Sequence, residues 1–245
     1  MKIIPDSVPN IATHPAIWRM FEPSRMMVEM GALAAATPLL VPQHTSDGHP
    51  VIVVTGLWSP SMGTMQVRGA LRLIGHHVYS PPVHMMYLPP QKIRSTLLKM
   101  TEELYEKYDG DKVSLVGWCV GGAFTRMVAH AAPDKVRQVI NMGTSLEGWW
   151  YPKDQKFAAG RLPVPSTVIY SRTDGTMDWR KIVEKPAPRT ENIEVLSSHF
   201  GMANNPMTVQ IIADRLGQPK GEWAPFAGWD LKHPTHPTQR PVRVA

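Results

Sequence analysis

Val113-Ser-Leu-Val-Gly-Trp-Cys-Val-Gly-Gly122 decides how this chain is read. Its first four residues are a short apolar run, as expected of a strand buried in a parallel sheet. From Val120 to about Ala131 the pattern becomes helical. Between them stands Gly117-Trp118-Cys119-Val120-Gly121-Gly122, a G-x-C-x-G-G box in strand–turn–helix context. A nucleophile elbow demands that context, because the reactive side chain must project from a sharp turn above the sheet. Glycines flank such a turn because side chains there would strike the adjacent strand or helix. A helix starting just after Cys119 favours a thiolate, and the N–H of Val120 would face a developing oxyanion. The competing reading is a small buried cysteine in a tight turn, which is what most free cysteines are.

Other strand and helix patterns follow on either side. Val51–Thr55 is a β-branched run ending at Gly56, His76–Tyr79 reads as a short strand, and Val136–Met142, Ser166–Tyr170 and Asn192–Leu196 complete the series. Helical patterns fall at about 64–74, 91–108 and 206–216. Strands alternating with helices imply βαβ units, right-handed crossovers and a mostly parallel sheet of about six strands with helices on both faces. An N-terminal arm and helices occupy residues 1–48, a core 50–217 and an irregular Pro-, Trp- and His-rich tail 218–245, all read as a single domain. The helical stretch from about Ala16 to Ala36 is expected to break at Pro23. Its methionines, Met20, Met26, Met27 and Met30, are expected to pack into the core.

A nucleophile needs a base, and the base an orienting acid, in the order nucleophile, acid, base on this kind of sheet. The strand ending at Tyr170 runs into Ser171-Arg-Thr-Asp174-Gly175, and the next into Ser197-Ser-His199-Phe-Gly201. Asp174 and His199 are therefore expected on the same sheet edge as Cys119, where ligands bind in parallel sheets. Asp178, four residues on, is the rival acid. The loop after the first strand, Gly56-Leu57-Trp58, is expected to supply a second oxyanion donor from Leu57 or Trp58.

The box, the order Cys119–Asp174–His199 and the strand series together resemble the α/β-hydrolase superfamily over roughly residues 50–217. YSRTDG and SSHFGMANNP are similar to the acid and histidine loops of its compact lipase- and esterase-like members. The G-x-C-x-G-G box is similar to that of polyhydroxyalkanoate synthases, acyltransferases of the same fold, and dienelactone hydrolases also carry cysteine there. This chain is much shorter than the synthases. The resemblance implies acyl transfer: His199 deprotonates or ion-pairs with Cys119, Asp174 holds the imidazole, and an acyl-thioester intermediate forms. The outcome is hydrolysis of an ester or thioester, or transfer of its acyl group. An acyltransferase or cyclase of secondary metabolism, acting on a carrier-protein- or coenzyme A-bound acyl chain, is the alternative. A catalytically inactive binding protein on the same fold is the reading from another class. A lyase, dehalogenase or isomerase is also open, although a dehalogenase would want a carboxylate at the elbow.

Between the fourth and fifth strands lie only about twenty residues, so any cap is minimal. Trp149 and Trp150 there, with Trp58 and Trp118, are candidates to line an acyl groove. From Lys153 to Arg189 there are eight basic and four acidic residues, an excess that would attract an anionic substrate.

The whole chain of 245 residues carries a net charge of +6, spread without a basic, aromatic-interleaved stripe, which argues against a nucleic-acid partner. Cys119 is the single cysteine, excluding an internal disulfide, and no HExxH or clustered Cys/His spacing calls for a metal. Neither G-x-G-x-x-G nor a P-loop is present, and no cofactor is expected. The start lacks the apolar run of a signal peptide, and no stretch spans a bilayer, so a cytoplasmic location without stable membrane insertion is expected. The oligomeric state is open.

Overall fold

A computed structural model describes residues 15–56, 61–82, 87–147 and 160–228. Six strands, β1 (Pro50–Val54), β2 (His77–Tyr79), β3 (Val113–Trp118), β4 (Val136–Met142), β5 (Ser166–Tyr170) and β6 (Thr190–Glu194), form one sheet in the order β2-β1-β3-β4-β5-β6. Every pairing is parallel. The helices in chain order are α1 (Pro15–Met20), α2 (Glu22–Leu40), α3 (Met65–Ile74), α4 (Pro90–Lys107), α5 (Val120–Ala131) and α6 (Pro206–Leu216).

All five residues of β1 are buried, which explains why the strand reads as continuous rather than alternating hydrophobicity. Successive side chains still leave on opposite faces. Val51 and Val53 join Leu33 of α2, Leu71 of α3 and Ile212 of α6 in one apolar cluster. Ile52 and Val54 join Ile93 and Leu97 of α4 and Phe124 of α5 in the other. Crossovers from β1 and β3 run in opposite directions along the sheet, so the order reverses between these neighbours. At such a switch point, beyond the C-terminal ends of the strands, parallel sheets bind their ligands.

Three boundaries differ from expectation. The N-terminal helices break at Phe21, not Pro23. Pro23 sits in the first turn of α2, where a missing N–H costs nothing, and α2 continues through Pro38 to Leu40. Strand β3 runs on through Gly117 and Trp118 because both stay in register with β4. Strand β6 begins two residues early, at Thr190.

The expected methionine core is also corrected. Met27 is 63% exposed, because Glu22 and Glu29 occupy the inward side of α2, and Met20, at the end of α1, is 70% exposed. Among the described residues no helix is long and apolar enough to cross a membrane.

Candidate active site

Strand β3 delivers Cys119 to the switch point. Its N–H donates to the carbonyl of Met142, 2.9 Å away, so the sheet ladder holds the residue up to the turn. The turn itself is at φ 55°, ψ −131°, a conformation that L side chains rarely adopt and that costs about 1–3 kcal/mol. Helix α5 starts at the next residue, so Val120 contributes one of the first-turn N–H groups that no helical carbonyl accepts. The elbow closes only because glycines cross there. A Cβ on Gly122 would lie 2.0 Å from Thr144 Oγ1, and one on Gly117 would lie 2.3 Å from Gly122 Cα. Cys119 is partly buried and touches the apolar clusters on both faces of the sheet.

Asp174 and His199 reach the same edge from the loops after β5 and β6. His199 Nδ1–H donates to Asp174 Oδ2 at 2.7 Å, and both side chains are buried. The other oxygen, Oδ1, accepts the N–H groups of Thr176 (2.8 Å) and Met177 (2.7 Å), which fixes the carboxylate plane. Burial alone would push the imidazole pKa down. The hydrogen bond to Asp174 and the attraction of its carboxylate, with a smaller contribution from the neighbouring Cys119, overcome it and push His199 up to about 10. With Nδ1 committed to Asp174, Nε2 is the ring nitrogen left available to Cys119. Asp174 and His199 thus form a hydrogen-bonded pair on the edge that carries Cys119. Asp178 is not part of it: its side chain is 43% exposed and caps a short turn by accepting from the Arg180 N–H.

Trp118 does not line a substrate path. It is 4% exposed, and its indole N–H donates to the carbonyl of His199 at 3.1 Å, with the two rings 5.9 Å apart. The residue before Cys119 therefore anchors the histidine loop. Leu57, Trp58, Trp149 and Trp150 lie outside the described residues.

Two residues that sequence reasoning missed hold the Asp174 and His199 loops from behind. Glu22, 1% exposed, accepts the N–H of Gly175 through Oε1 (2.8 Å) and that of Phe200 through Oε2 (2.9 Å), so one carboxylate joins the acid loop to the histidine loop. Glu29 accepts the N–H of Ser198 at 2.8 Å and its hydroxyl at 2.5 Å. The Ser198 hydroxyl in turn accepts the Gly201 N–H at 2.9 Å. Gly201 lets the helix come this close, since a Cβ there would fall 1.5 Å from Glu29 Oε2. Arg25 adds bonds to the carbonyl and hydroxyl of Thr173. The only sequence signal was a pair of glutamates seven residues apart, on one side of a helix.

A second Ser–His–Asp chain shows what geometry alone does not make. Ser114 Oγ lies 2.8 Å from His49 Nε2, and His49 Nδ1 lies 2.5 Å from Asp47 Oδ1. Ser114 is fully buried near the start of β3, with no route for a substrate, and burial lowers the His49 pKa. A cleft of about 550 Å3 lined by Asp111, Val136, Arg137, Arg189 and Trp223 opens at this same N-terminal edge, away from Cys119.

No protein-family model matches the sequence, and no curated protein matches it. Solved structures do match by fold. Aspergillus fumigatus lipase B is similar at 16% identity and TM-score 0.57, over 71% of this chain and 54% of that one. The chain therefore spans about half the length of that lipase. MGS-MChE2, an alpha/beta hydrolase enzyme from the metagenome of lagoon sediments at Mar Chica, Morocco, is similar at 15% identity and TM-score 0.52, over 70% of this chain and 91% of that one. A structure described for the metagenome-derived lipolytic enzymes LipS and LipT is similar at 14% identity and TM-score 0.52, over 70% and 93%. With its six-stranded parallel sheet and helices on both faces, the chain has the α/β-hydrolase fold.

Proposed function

We propose that the protein is an acyl-transfer enzyme using Cys119, His199 and Asp174 on an ester or thioester. The observation that carries the reading is the buried His199–Asp174 hydrogen bond on the same sheet edge as Cys119, which sits at a strained elbow. His199 takes the Cys119 proton or ion-pairs with its sulfur, which frees the sulfur to attack. The Cys119 sulfur attacks the acyl carbonyl carbon, and the carbonyl oxygen takes the negative charge next to the Val120 N–H. The tetrahedral intermediate collapses, the bond to the alkoxide or thiolate leaving group breaks, and His199 Nε2 gives that group its proton. The acyl chain is left on sulfur as a thioester. An acceptor then loses its proton to His199 and attacks the thioester, freeing Cys119. Asp174 keeps Nδ1 protonated throughout and compensates the imidazolium charge.

Thioesters yield to amines and thiols more readily than to water, which tilts a cysteine elbow toward transfer. The lipase and lipolytic enzymes among the fold neighbours carry the hydrolytic side of the reading. A carrier-protein- or coenzyme A-bound acyl chain is one form the donor would take.

Intact mass of the wild type, Cys119→Ser and Cys119→Ala after mixing with acyl thioesters and activated esters tests the reading. An adduct that maps to Cys119 and is absent from Cys119→Ala is expected. Rapid loss in buffer identifies a hydrolase, and persistence until an amine or alcohol is added identifies a transferase. No adduct on any form, with Cys119 inert to iodoacetamide, refutes catalysis and leaves a binding protein.

A further inference from the structure

Helix α2 carries its charges inward. Glu22, Met26, Glu29, Leu33, Ala36 and Leu40 recur at four- and three-residue steps and form the stripe that faces the body. The two carboxylates bond to the catalytic loops, while Leu33 and Leu40 enter the core. The opposite arc holds no charged residue. Met27, Val28 and Leu39 are 63%, 71% and 70% exposed. Helix α1 and the break extend the surface through Ile17, Met20 and Phe21, at 46%, 70% and 46%. Together these six residues leave on the order of 700 Å2 exposed, a sum over α1, the break and α2.

We propose that this face is covered by the same face of a second copy, making α2 the centre of a symmetric homodimer. The area fits, since a stable interface takes about 800 Å2 from each partner. An uncharged arc suits a two-fold contact, because a self-facing patch that carried one sign of charge would repel itself. Gly31 and Ala35, in the middle of the arc with no neighbour over Gly31, allow the two helices to approach closely while Met27 and Leu39 pack at the ends. A lipid surface fits less well: helices that lie on membranes flank their apolar side with Lys and Arg. The only arginine on α2 is turned to Thr173, and Arg19, the one on α1, donates through Nε to the Gly175 carbonyl. The inference goes beyond the acyl-transfer reading and does not rest on it.

Light scattering on a size-exclusion column tests it, run on the wild type at about 1, 10 and 100 μM, a span that brackets ordinary homodimer affinities. The expected mass is twice the 27.3 kDa of the chain, falling to that value in Met27→Glu and Ala35→Glu with unchanged far-UV circular dichroism. Flotation with phosphatidylcholine vesicles, with and without phosphatidylserine, runs in parallel. A wild type that is monomeric at every concentration overturns the proposal, whether it floats with vesicles or stays with the soluble fraction. So does a dimer that survives both folded charge variants, since another face must then hold it.

Discussion

Replacing Glu22 tests whether the N-terminal helix is part of the catalytic frame or an ornament on it. The side chain is 1% exposed and accepts from two backbone N–H groups, Gly175 at 2.8 Å and Phe200 at 2.9 Å. A hydrogen bond to a charged group contributes about 1.5–3 kcal/mol, and a buried donor left without its partner costs about 1–3 kcal/mol. Glu22→Ala strands both donors, so about 3–5 kcal/mol of stability is expected to go. Glu22→Gln retains one acceptor oxygen but turns its NH2 group toward the second N–H, donor against donor, and should cost about 2 kcal/mol. For a chain of this size 1 kcal/mol moves the melting temperature by roughly 2–4 °C, so Glu22→Gln should melt about 4–8 °C below the wild type. Both tethered segments carry a member of the proposed Cys119–His199–Asp174 site, so iodoacetamide modification of Cys119 should also slow, by about 10- to 100-fold if His199 shifts by an ångström. Calorimetry and the alkylation rate, measured below the onset of melting, give the two readouts. A Glu22→Gln protein within about 0.5 kcal/mol of wild type and equally reactive would refute the tethering role.

Trp118→Phe removes the indole bond to the His199 carbonyl while keeping an aromatic ring, and should cost about 1 kcal/mol in a denaturant melt and slow Cys119 acylation. Gly122→Ala places a Cβ 2.0 Å from Thr144 Oγ1 and should destabilise by about 3 kcal/mol or more, whereas Gly69→Ala, inside α3 with open space around it, should stabilise by about 0.5–1 kcal/mol; thermal melts of the pair separate elbow crowding from helix propensity. Because the folded pKa of His199 is raised to about 10, its contribution is complete below the unfolded value near 6.5 and is lost as pH rises through 10. The wild type should therefore lose its stability advantage over His199→Gln between about pH 7 and 10, and an imidazole NMR titration should show His199 still charged at pH 8.

The shared position of Cys119, Asp174 and His199 on one sheet edge was legible because each part of it is local in sequence. Cys119 is announced by glycines two to three residues away, and Asp174 and His199 by the β-branched strands that end just before them. The sheet order adds only that these loops meet, which parallel strands with right-handed crossovers already imply. The choice between Asp174 and Asp178 was not legible, since both are turn aspartates and only the bond to His199 Nδ1 distinguishes them. Trp118 misled for a similar reason: an aromatic next to a nucleophile reads as a substrate wall until its N–H is found on the histidine loop. Glu22 and Glu29 were invisible because the rule that charges face water is usually sound for helices. Their partners are backbone N–H groups about 150 to 180 residues away, and no spacing in the chain encodes them.

Why carboxylates stand at both positions follows from what the loops present. The acid and histidine loops offer Glu22 and Glu29 four donors, the N–H groups of Gly175, Phe200 and Ser198 and the Ser198 hydroxyl. A carboxylate is an acceptor at every lone pair, so it can take all of these without presenting a donor of its own. Glutamine would mismatch at one bond in each pair, and a hydroxyl side chain would be too short to span two loops. Burying a carboxylate is nevertheless expensive, and it is tolerated only when its acceptors are filled, as they are here. Once the polar stripe of α2 is committed to the interior, the opposite arc is free to take any composition. Lysine or glutamate there would suit contact with water and would cost almost nothing. The chain instead places Met27, Val28 and Leu39 on that arc, a choice that water does not reward and that a second apolar face does.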